Sequence, residues 1–410
     1  MYPEIRLASR NDAGAILEIE ETAFPCPWDP EDILQCIDHP ACRTWTARSS
    51  GCVSGYISVC LETSGLHVVN LAVAHDRRRM GIGSALLRTA EGWGERLGSE
   101  RACLEVRKGS SPARELYGRA GYVLKGSLPG FYPDGEDGLE LERDLAPDRK
   151  RAMVARGIVQ RCGRVPGVGV VLGSGLAWLA EHFGAGRFIE YDDILEDSLG
   201  HVPGHPGRLA FSRCGRFVFL LGRRHHYQGY SGSEIALLPG VLGDLGAARW
   251  VLTSSSGAVD PSLEPGDAVL FGDHVNFTGC VPDIGPARVR PSVYSETLRI
   301  AAEQAASETG SGLRRGLFAC VSGPAYETSA EIGFLQKGEF STVSMSTAPE
   351  ALALSAAGFE VAAVSLVTNS ASPGAVLTHG EVLDSQKRVR EKQGSFMKSF
   401  LEKVASIELR

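Results

Sequence analysis

Period-two alternation at Glu4-Ile5-Arg6-Leu7 predicts a first strand. Ala15, Ile16, Ile19 and Phe24 then fall largely on one face of a helix that Asn11 or Asp12 can cap. Phe24-Pro25-Cys26-Pro27-Trp28 is a rigid aromatic turn, and a second helix begins near Asp29-Pro30-Glu31. Strands are predicted at 52–60, 66–73 and 104–107, with a helix carrying Ala85, Leu86 and Leu87 before the last of them and another at 113–121 after it. Further on, 149–160 reads as a helix. Val168–Leu172 is almost continuously apolar, as in a parallel sheet buried on both faces. More strands are expected at Phe217–Leu221, 250–253, 268–271 and 361–367. In 380–406, Val382, Val389, Phe396, Phe400 and Val404 repeat on one helix face. That helix is expected to pack back on a sheet, with partner binding as the other use for such a face.

The 410 residues exceed one typical domain. The charged segment 141–152 is a short linker without a Gly/Ser tract, so the expected units are 1–146 and 147–410. No apolar run is long enough to span a bilayer, and the first residues lack the apolar core of a secretory signal; a cytoplasmic protein is expected. The 10 cysteines show neither a C-x-x-C pair nor metal-ligand spacing. In a chain this long that favours reduced thiols over disulfides or zinc, and no metal is expected. Residues 1–146 hold 16 Lys and Arg against 22 Asp and Glu, and the remainder 26 against 27. Nucleic-acid binding is therefore not indicated, and the acidic first part suits a basic peptide.

Chemistry first concentrates around residue 80. An apolar strand runs into Arg78-x-x-Gly81-x-Gly83 and then a helix. The glycines let backbone N–H groups approach a ligand, and the helix N-terminus adds partial positive charge, which together suit a pyrophosphate. Taken alone such a pattern is no more than a tight strand-to-helix turn. Its context is Leu104-Glu105-Val106-Arg107, a helix with Tyr117, and Gly130-Phe131-Tyr132-Pro133. This succession, over residues 3–145, resembles the GNAT acetyltransferases of the bacterial ribosomal-protein-alanine N-acetyltransferase (RimI-like) type. The resemblance implies acetyl-CoA as co-substrate, held by Val73, Arg78, Arg79, Gly81, Ile82, Gly83 and Ser84. It implies Glu105 as general base for an α-amine, through water, and Tyr117 as the acid for the departing thiolate. The acceptor would be a basic protein N-terminus, of the ribosomal-protein type. Ser110 stands where this family usually carries Asn.

The second half offers separated polar clusters at strand ends. They are Gly173-Ser174-Gly175, then 222–230 with Arg223, His225, Tyr227 and Gln228, then Ser254-Ser255-Ser256-Gly257-Ala258. Ser322-Gly323-Pro324, Tyr326, Glu327, Met345, Ser346, Asn369 and His379 complete them. Arg223 is a fork of donors suited to phosphate, and a carboxylate and an amide at the ends of apolar strands are costly unless they bind something. A metal reading of the histidines around 201–226 ranks low for want of a third ligand type. Singly, these residues are turn serines, surface cations or core side chains. In this order, over about 150–405, they resemble the trimeric purine nucleoside phosphorylases. The resemblance implies an α/β fold with a central mixed β-sheet flanked by helices, placed after the GNAT fold. It implies phosphate bound by Ser174, Arg223, His225, Ser255 and Ser346, ribose contacts from Tyr227 and His379, and Tyr326 near the sugar or base. Met345 would pack under the ribose, while Glu327 and Asn369 would bind a 6-oxopurine, with phosphate as co-substrate, no metal, and a homotrimeric assembly. Gln228 replaces a usual Glu, 254–258 replaces an Asn-Ala-Ala-Gly-Gly run, and 279–294 lacks the aromatic pair lent by a neighbouring subunit. An active acetyltransferase on a catalytically weak phosphorylase-like scaffold is therefore the competing reading.

Overall fold

The computed structural model describes residues 4–49, 51–195, 206–283, 292–371 and 379–407, the side chains of 379–384 and 386 excepted. The chain forms two compact units, one ending at Arg156 and one spanning Gly157–Ile407.

The first unit holds a seven-stranded sheet: β1 (Glu4–Leu7), β2 (Cys42–Ser49), β3 (Cys52–Glu62), β4 (Gly65–Val73), β5 (Arg101–Arg107), β6 (Val123–Leu128) and β7 (Gly138–Asp144). Their order is β1-β2-β3-β4-β5-β7-β6. Only β4 and β5 run parallel, and they pair at Leu66–Ala102 and His67–Cys103 alone. Beyond that point the two strands diverge, and the helix Ile82–Arg96 follows β4. Leu86, Leu87, Ala90 and Trp93 of this helix are buried with Ile57, Val68 and Leu104 of the sheet. Strand β2 escaped the hydrophobic pattern because Arg43, Thr44, Thr46 and Arg48 interrupt it. Its presence corrects the cysteine expectation. Register sets Cys42 opposite Cys60, and the two form a disulfide; the other eight cysteines are free. Asp12 precedes the helix Ala13–Ala23 but turns its carboxylate back, accepting from the Ser9 amide at 2.8 Å and hydroxyl at 2.9 Å.

Among the described residues the second unit holds nine strands: β8 (Val168–Leu172), β9 (Ala185–Glu190), β10 (Arg208–Ser212), β11 (Phe217–Leu221), β12 (Arg249–Ala258), β13 (Ala268–Asn276), β14 (Leu313–Cys320), β15 (Phe340–Ser344) and β16 (Glu360–Ser370). They form one mixed sheet in the order β15-β14-β13-β16-β12-β8-β11-β10-β9, and β15 also pairs with β12. The last pairing, Gly257–Val343 and Ala258–Thr342, closes five strands on themselves. Helices cover the sheet. Leu298, Ala301, Ala302 and Ala305 of Glu296–Thr309 pack in one core with Phe396, Met397, Phe400, Leu401 and Val404 of His379–Ser406. The C-terminal amphipathic helix therefore packs on the sheet. Strands β12, β13 and β16 each run past the apolar stretch that marked them, because their ends carry polar residues, some facing a cavity or solvent and others, such as Ser254 and Ser256, buried in hydrogen bonds to one another and to Ser365. Among the described residues no helix is long and apolar enough to cross a membrane.

Candidate functional sites

Closure of β12 onto β15 gathers strand ends from distant parts of the second unit around a cavity of about 390 Å³. It is lined by Ser174, Arg223, His225, Ser255 and Ser346 and by Tyr227, Tyr326, Glu327, Met345 and Asn369. These are all the residues expected there except His379, whose side chain lies outside the described residues, as do His201, His205 and 284–291 of the 279–294 segment.

Arg223 follows β11 and is buried. It donates to the Ser346 hydroxyl at 2.8 Å, the Thr347 hydroxyl at 2.9 Å and the Thr253 carbonyl at 2.7 Å. Glu350, also buried, sits 3.7 Å from its Nε. The other carboxylate oxygen of Glu350 accepts from the Thr347 amide at 2.9 Å, which secures a β-branched residue at φ +84°. His225 stacks on Tyr227 at 4.8 Å, and the Gln228 side-chain oxygen accepts from the His225 amide at 2.9 Å and lies 3.3 Å from its Nδ1. Gln228 thus holds the ring in place. The Ser255 hydroxyl donates to the Ser174 carbonyl at 2.9 Å, and the Ser344 hydroxyl donates to the Ser255 carbonyl at 3.1 Å. Burial pushes the Glu327 carboxyl and the Tyr227 hydroxyl up. Gly323, at φ +68°, backs Met345 and Tyr227 so closely that a Cβ would overlap the Met345 sulfur.

Several participants were not singled out in the sequence. Thr347 and Glu350 sit just beyond Met345-Ser346, and Thr368 beside Asn369. Ser385 lines the same cavity from the C-terminal helix and is buried. Its signal was legible, since it is a hydroxyl on the apolar stripe between Val382 and Val389.

In the first unit, Gly81 takes φ +81° and opens the helix Ile82–Arg96 with no side-chain cap. The first-turn amides at Ile82, Gly83 and Ser84 are thereby left to an external acceptor, the requirement of a pyrophosphate site. Arg78 donates to the Val73 carbonyl at 3.1 Å, and Arg79 pairs with Glu115 at 2.8 Å. Tyr117 is buried in the core, edge-on to Tyr122, and burial raises its hydroxyl. Glu105 is not a lone carboxylate. It meets His67 Nε2 at 2.8 Å, and that hydrogen bond lowers its carboxyl while raising the imidazole. His67, unremarked in the sequence, lies across the β4–β5 pairing from Cys103, two residues before Glu105. Ser110 precedes the helix Ser111–Arg119 without capping it through its side chain. Among the described residues no group of three or more His, Cys, Asp or Glu is placed to hold a metal ion.

Residues 168–402 match the family described as the phosphorylase superfamily, and residues 13–122 match the acetyltransferase (GNAT) family. Purine nucleoside phosphorylase 1 of Geobacillus stearothermophilus is 34% identical over 252 residues, 58% of this chain and 92% of that one. The mouse (Mus musculus) purine nucleoside phosphorylase is 32% identical over 271 residues, 61% of this chain and 93% of that one. Among solved structures, a Schistosoma purine nucleoside phosphorylase in complex with hypoxanthine is 32% identical with a TM-score of 0.55, covering 62% of this chain and 96% of its own. The Schistosoma mansoni enzyme in complex with adenosine gives 32% and 0.56, over 61% and 95%. The chain belongs to the phosphorylase superfamily. Its second unit is a pentosyltransferase domain of the purine nucleoside phosphorylase kind, and its first is a GNAT acyltransferase domain.

Proposed function

We propose that the second unit cleaves 6-oxopurine ribo- and deoxyribonucleosides with phosphate, releasing the purine and the pentose 1-phosphate. The observation that carries this reading is the gathering of Ser174, Arg223, His225, Ser255 and Ser346 with Glu327 and Asn369 around a single cavity. In the proposed roles the first set holds phosphate, Tyr227 and His379 contact the ribose, Met345 packs beneath it, and Tyr326 covers sugar or base. As the glycosidic bond breaks, positive charge grows on the sugar and negative charge on the purine. Phosphate held beside C1′ stabilises the sugar and then attacks it. The Asn369 amide donates to the purine and stabilises the leaving group. A ring N–H gives the half-desolvated Glu327 carboxylate the partner its burial calls for. The relatives solved with hypoxanthine and with adenosine bracket both base classes, so the 6-oxo preference rests on the donor at Asn369.

The first unit, in the same proposal, transfers acetyl from acetyl-CoA to a protein α-amine of the ribosomal-protein alanine type. The uncapped helix start at Ile82–Ser84 supports the pyrophosphate, Glu105 serves as base and Tyr117 as acid. Assembly as a homotrimer and a cytoplasmic location complete the proposal. The deciding experiment is phosphate-dependent release of hypoxanthine from inosine by the full-length protein, with Asn369→Ala as control. Release that needs phosphate and is lost in the variant is expected. No release from inosine, guanosine or their deoxy forms would leave an acetyltransferase on a phosphorylase-like scaffold.

A further inference from the structure

Three side chains in the first unit form a continuous hydrogen-bonded line. Glu105 Oε2 lies 2.8 Å from His67 Nε2, and His67 Nδ1 lies 3.1 Å from Glu62 Oε1. The Glu62 end is the more exposed. The Glu105 and His67 side chains are 27% and 22% exposed and that of Glu62 is 49% exposed, so the line runs from a partly sheltered carboxylate to open solvent. Strand geometry produces it. His67 pairs with Cys103 across β4–β5, so Cys103 and Glu105, two residues apart, share its sheet face. Glu62 ends β3 at the turn into β4. The site of divergence between β4 and β5 begins just past this pair.

We propose that His67 takes the proton that Glu105 removes from the acceptor amine and returns it to solvent through Glu62. The inference rests on the acetyl-transfer reading of this unit. The balance is simple. An α-ammonium sheds two protons on becoming an amide, and the thiolate leaving group takes one. The other passes to Glu105 as the N–H bond breaks, with its electron pair staying on nitrogen to form the new C–N bond. It then moves to Nε2 of neutral His67, where it resides as an imidazolium between two carboxylates. Loss from Nδ1 toward Glu62 releases it.

The groups around the imidazole favour this. Glu62 on β3 and Glu105 on β5 are its direct partners. Cys103 on β5 faces the same way, its thiol pushed up to about 11 by burial and by carboxylates including Glu105 and Glu62. Glu142 on β7 is neutralised by Lys125 and Arg101, whereas Glu140 has no ion pair among the described residues. Tyr132 adds a neutral hydroxyl near Glu105. The surroundings are net acidic and hold a proton on His67 above its ordinary range, by the Glu105 hydrogen bond first and against burial. Transfer needs His67 neutral, so its deprotonation sets the acid limb of the rate.

Two measurements on the full-length protein test this. In the first, the His67 ring is titrated by NMR, assigned through His67→Gln. It is expected to titrate above free imidazole and to fall by about one pH unit in Glu62→Gln and in Glu105→Gln. In the second, kcat for acetylation of a peptide with a free N-terminal alanine is followed against pH. His67→Gln is expected to lower kcat at least tenfold and to move the acid limb down into the carboxylate range, with acetyl-CoA affinity unchanged. A titration that ignores both carboxylates, or a fall in kcat with an unmoved acid limb, overturns the relay and leaves acetyl transfer standing. No transfer by the wild-type protein to any amine overturns the reading of the unit, and the relay with it.

Discussion

Thr368 donates its hydroxyl to the amide oxygen of Asn369 at 3.0 Å. The Asn369 nitrogen has a long contact of 3.4 Å with the Ser370 carbonyl and lies against Gly257, where a Cβ would come within 3.3 Å. The hydroxyl of its neighbour thus engages the amide oxygen and leaves the nitrogen on the Gly257 side. Thr368→Val keeps shape and removes this constraint. It is expected to lower kcat/KM for inosine about tenfold, or about 1.4 kcal/mol. Asn369→Asp replaces the donor with an acceptor and is expected to cost inosine on the order of a hundredfold or more while adenosine loses less. Parallel steady-state assays of the two nucleosides check both.

Glu350 does not reach the cavity through its own surface, yet it holds two groups that do. It faces Arg223 and fixes the Thr347 amide, and both sit against Ser346. Glu350→Gln retains an acceptor for Thr347 and removes the charge beside the guanidinium. The expected result is a phosphate KM raised about tenfold with nucleoside binding changed less than twofold. Glu350→Ala leaves Arg223 buried without its counter-charge and is expected to cost about 3 kcal/mol of stability. Phosphate-dependence curves and urea unfolding distinguish the two effects. Equal rises in both KM values would refute a role confined to the phosphate end.

Gly323 has a positive φ and no room for a Cβ beside Met345. Gly323→Ala combines backbone strain of about 1 kcal/mol with a displaced Met345. Loss of most phosphorolysis with a small change in Tm is expected. Full activity in the variant would mean that Met345 does not shape the ribose end.

Where a signal was local, the sequence carried it. Val168–Leu172 and Phe217–Leu221 were bounded correctly from apolar runs alone. The cavity residues stood out as separated polar clusters, several of them at strand ends, and it was their order, which resembles a known family, and not any one of them, that marked the site. What could not be read was long-range register. The β12–β15 pairing that closes the second unit, the Cys42–Cys60 disulfide and the Glu105–His67 contact all join residues from different strands. Strand β2 was hidden by its own polar positions, and with it the partner of Cys60. Nothing local to His67 marks it; its role depends on β5 lying beside β4.

Gly81 gives a test confined to the first unit. Its φ of +81° is one that a β-branched residue rarely adopts. Gly81→Val is expected to re-aim the helix start at Ile82–Ser84 and weaken acetyl-CoA binding at least tenfold by calorimetry. Thermal unfolding of the variant serves as the folding control for the first unit, and inosine phosphorolysis in the same preparation is expected to be unchanged. Unchanged acetyl-CoA affinity would remove this turn from the binding site.

Asp12 offers a pH test of stability. Its carboxylate is buried, which alone would raise it. The Ser9 amide and hydroxyl, together with Arg6 and Arg48, outweigh that and hold it below the usual range. A lowered carboxyl contributes stability that is full above its unfolded value, about 3.9, and is lost as pH falls through the lower folded value. Asp12→Asn removes the charge that both arginines face and is expected to cost about 3 kcal/mol near neutral pH. Because the wild-type advantage comes from the ionised form, the gap between the two proteins should stay constant from neutrality down to about pH 4 and narrow below it. Calorimetric unfolding across that range checks the sign. A gap that widened on acidification would mean that burial, and not the arginines and Ser9, governs this carboxyl.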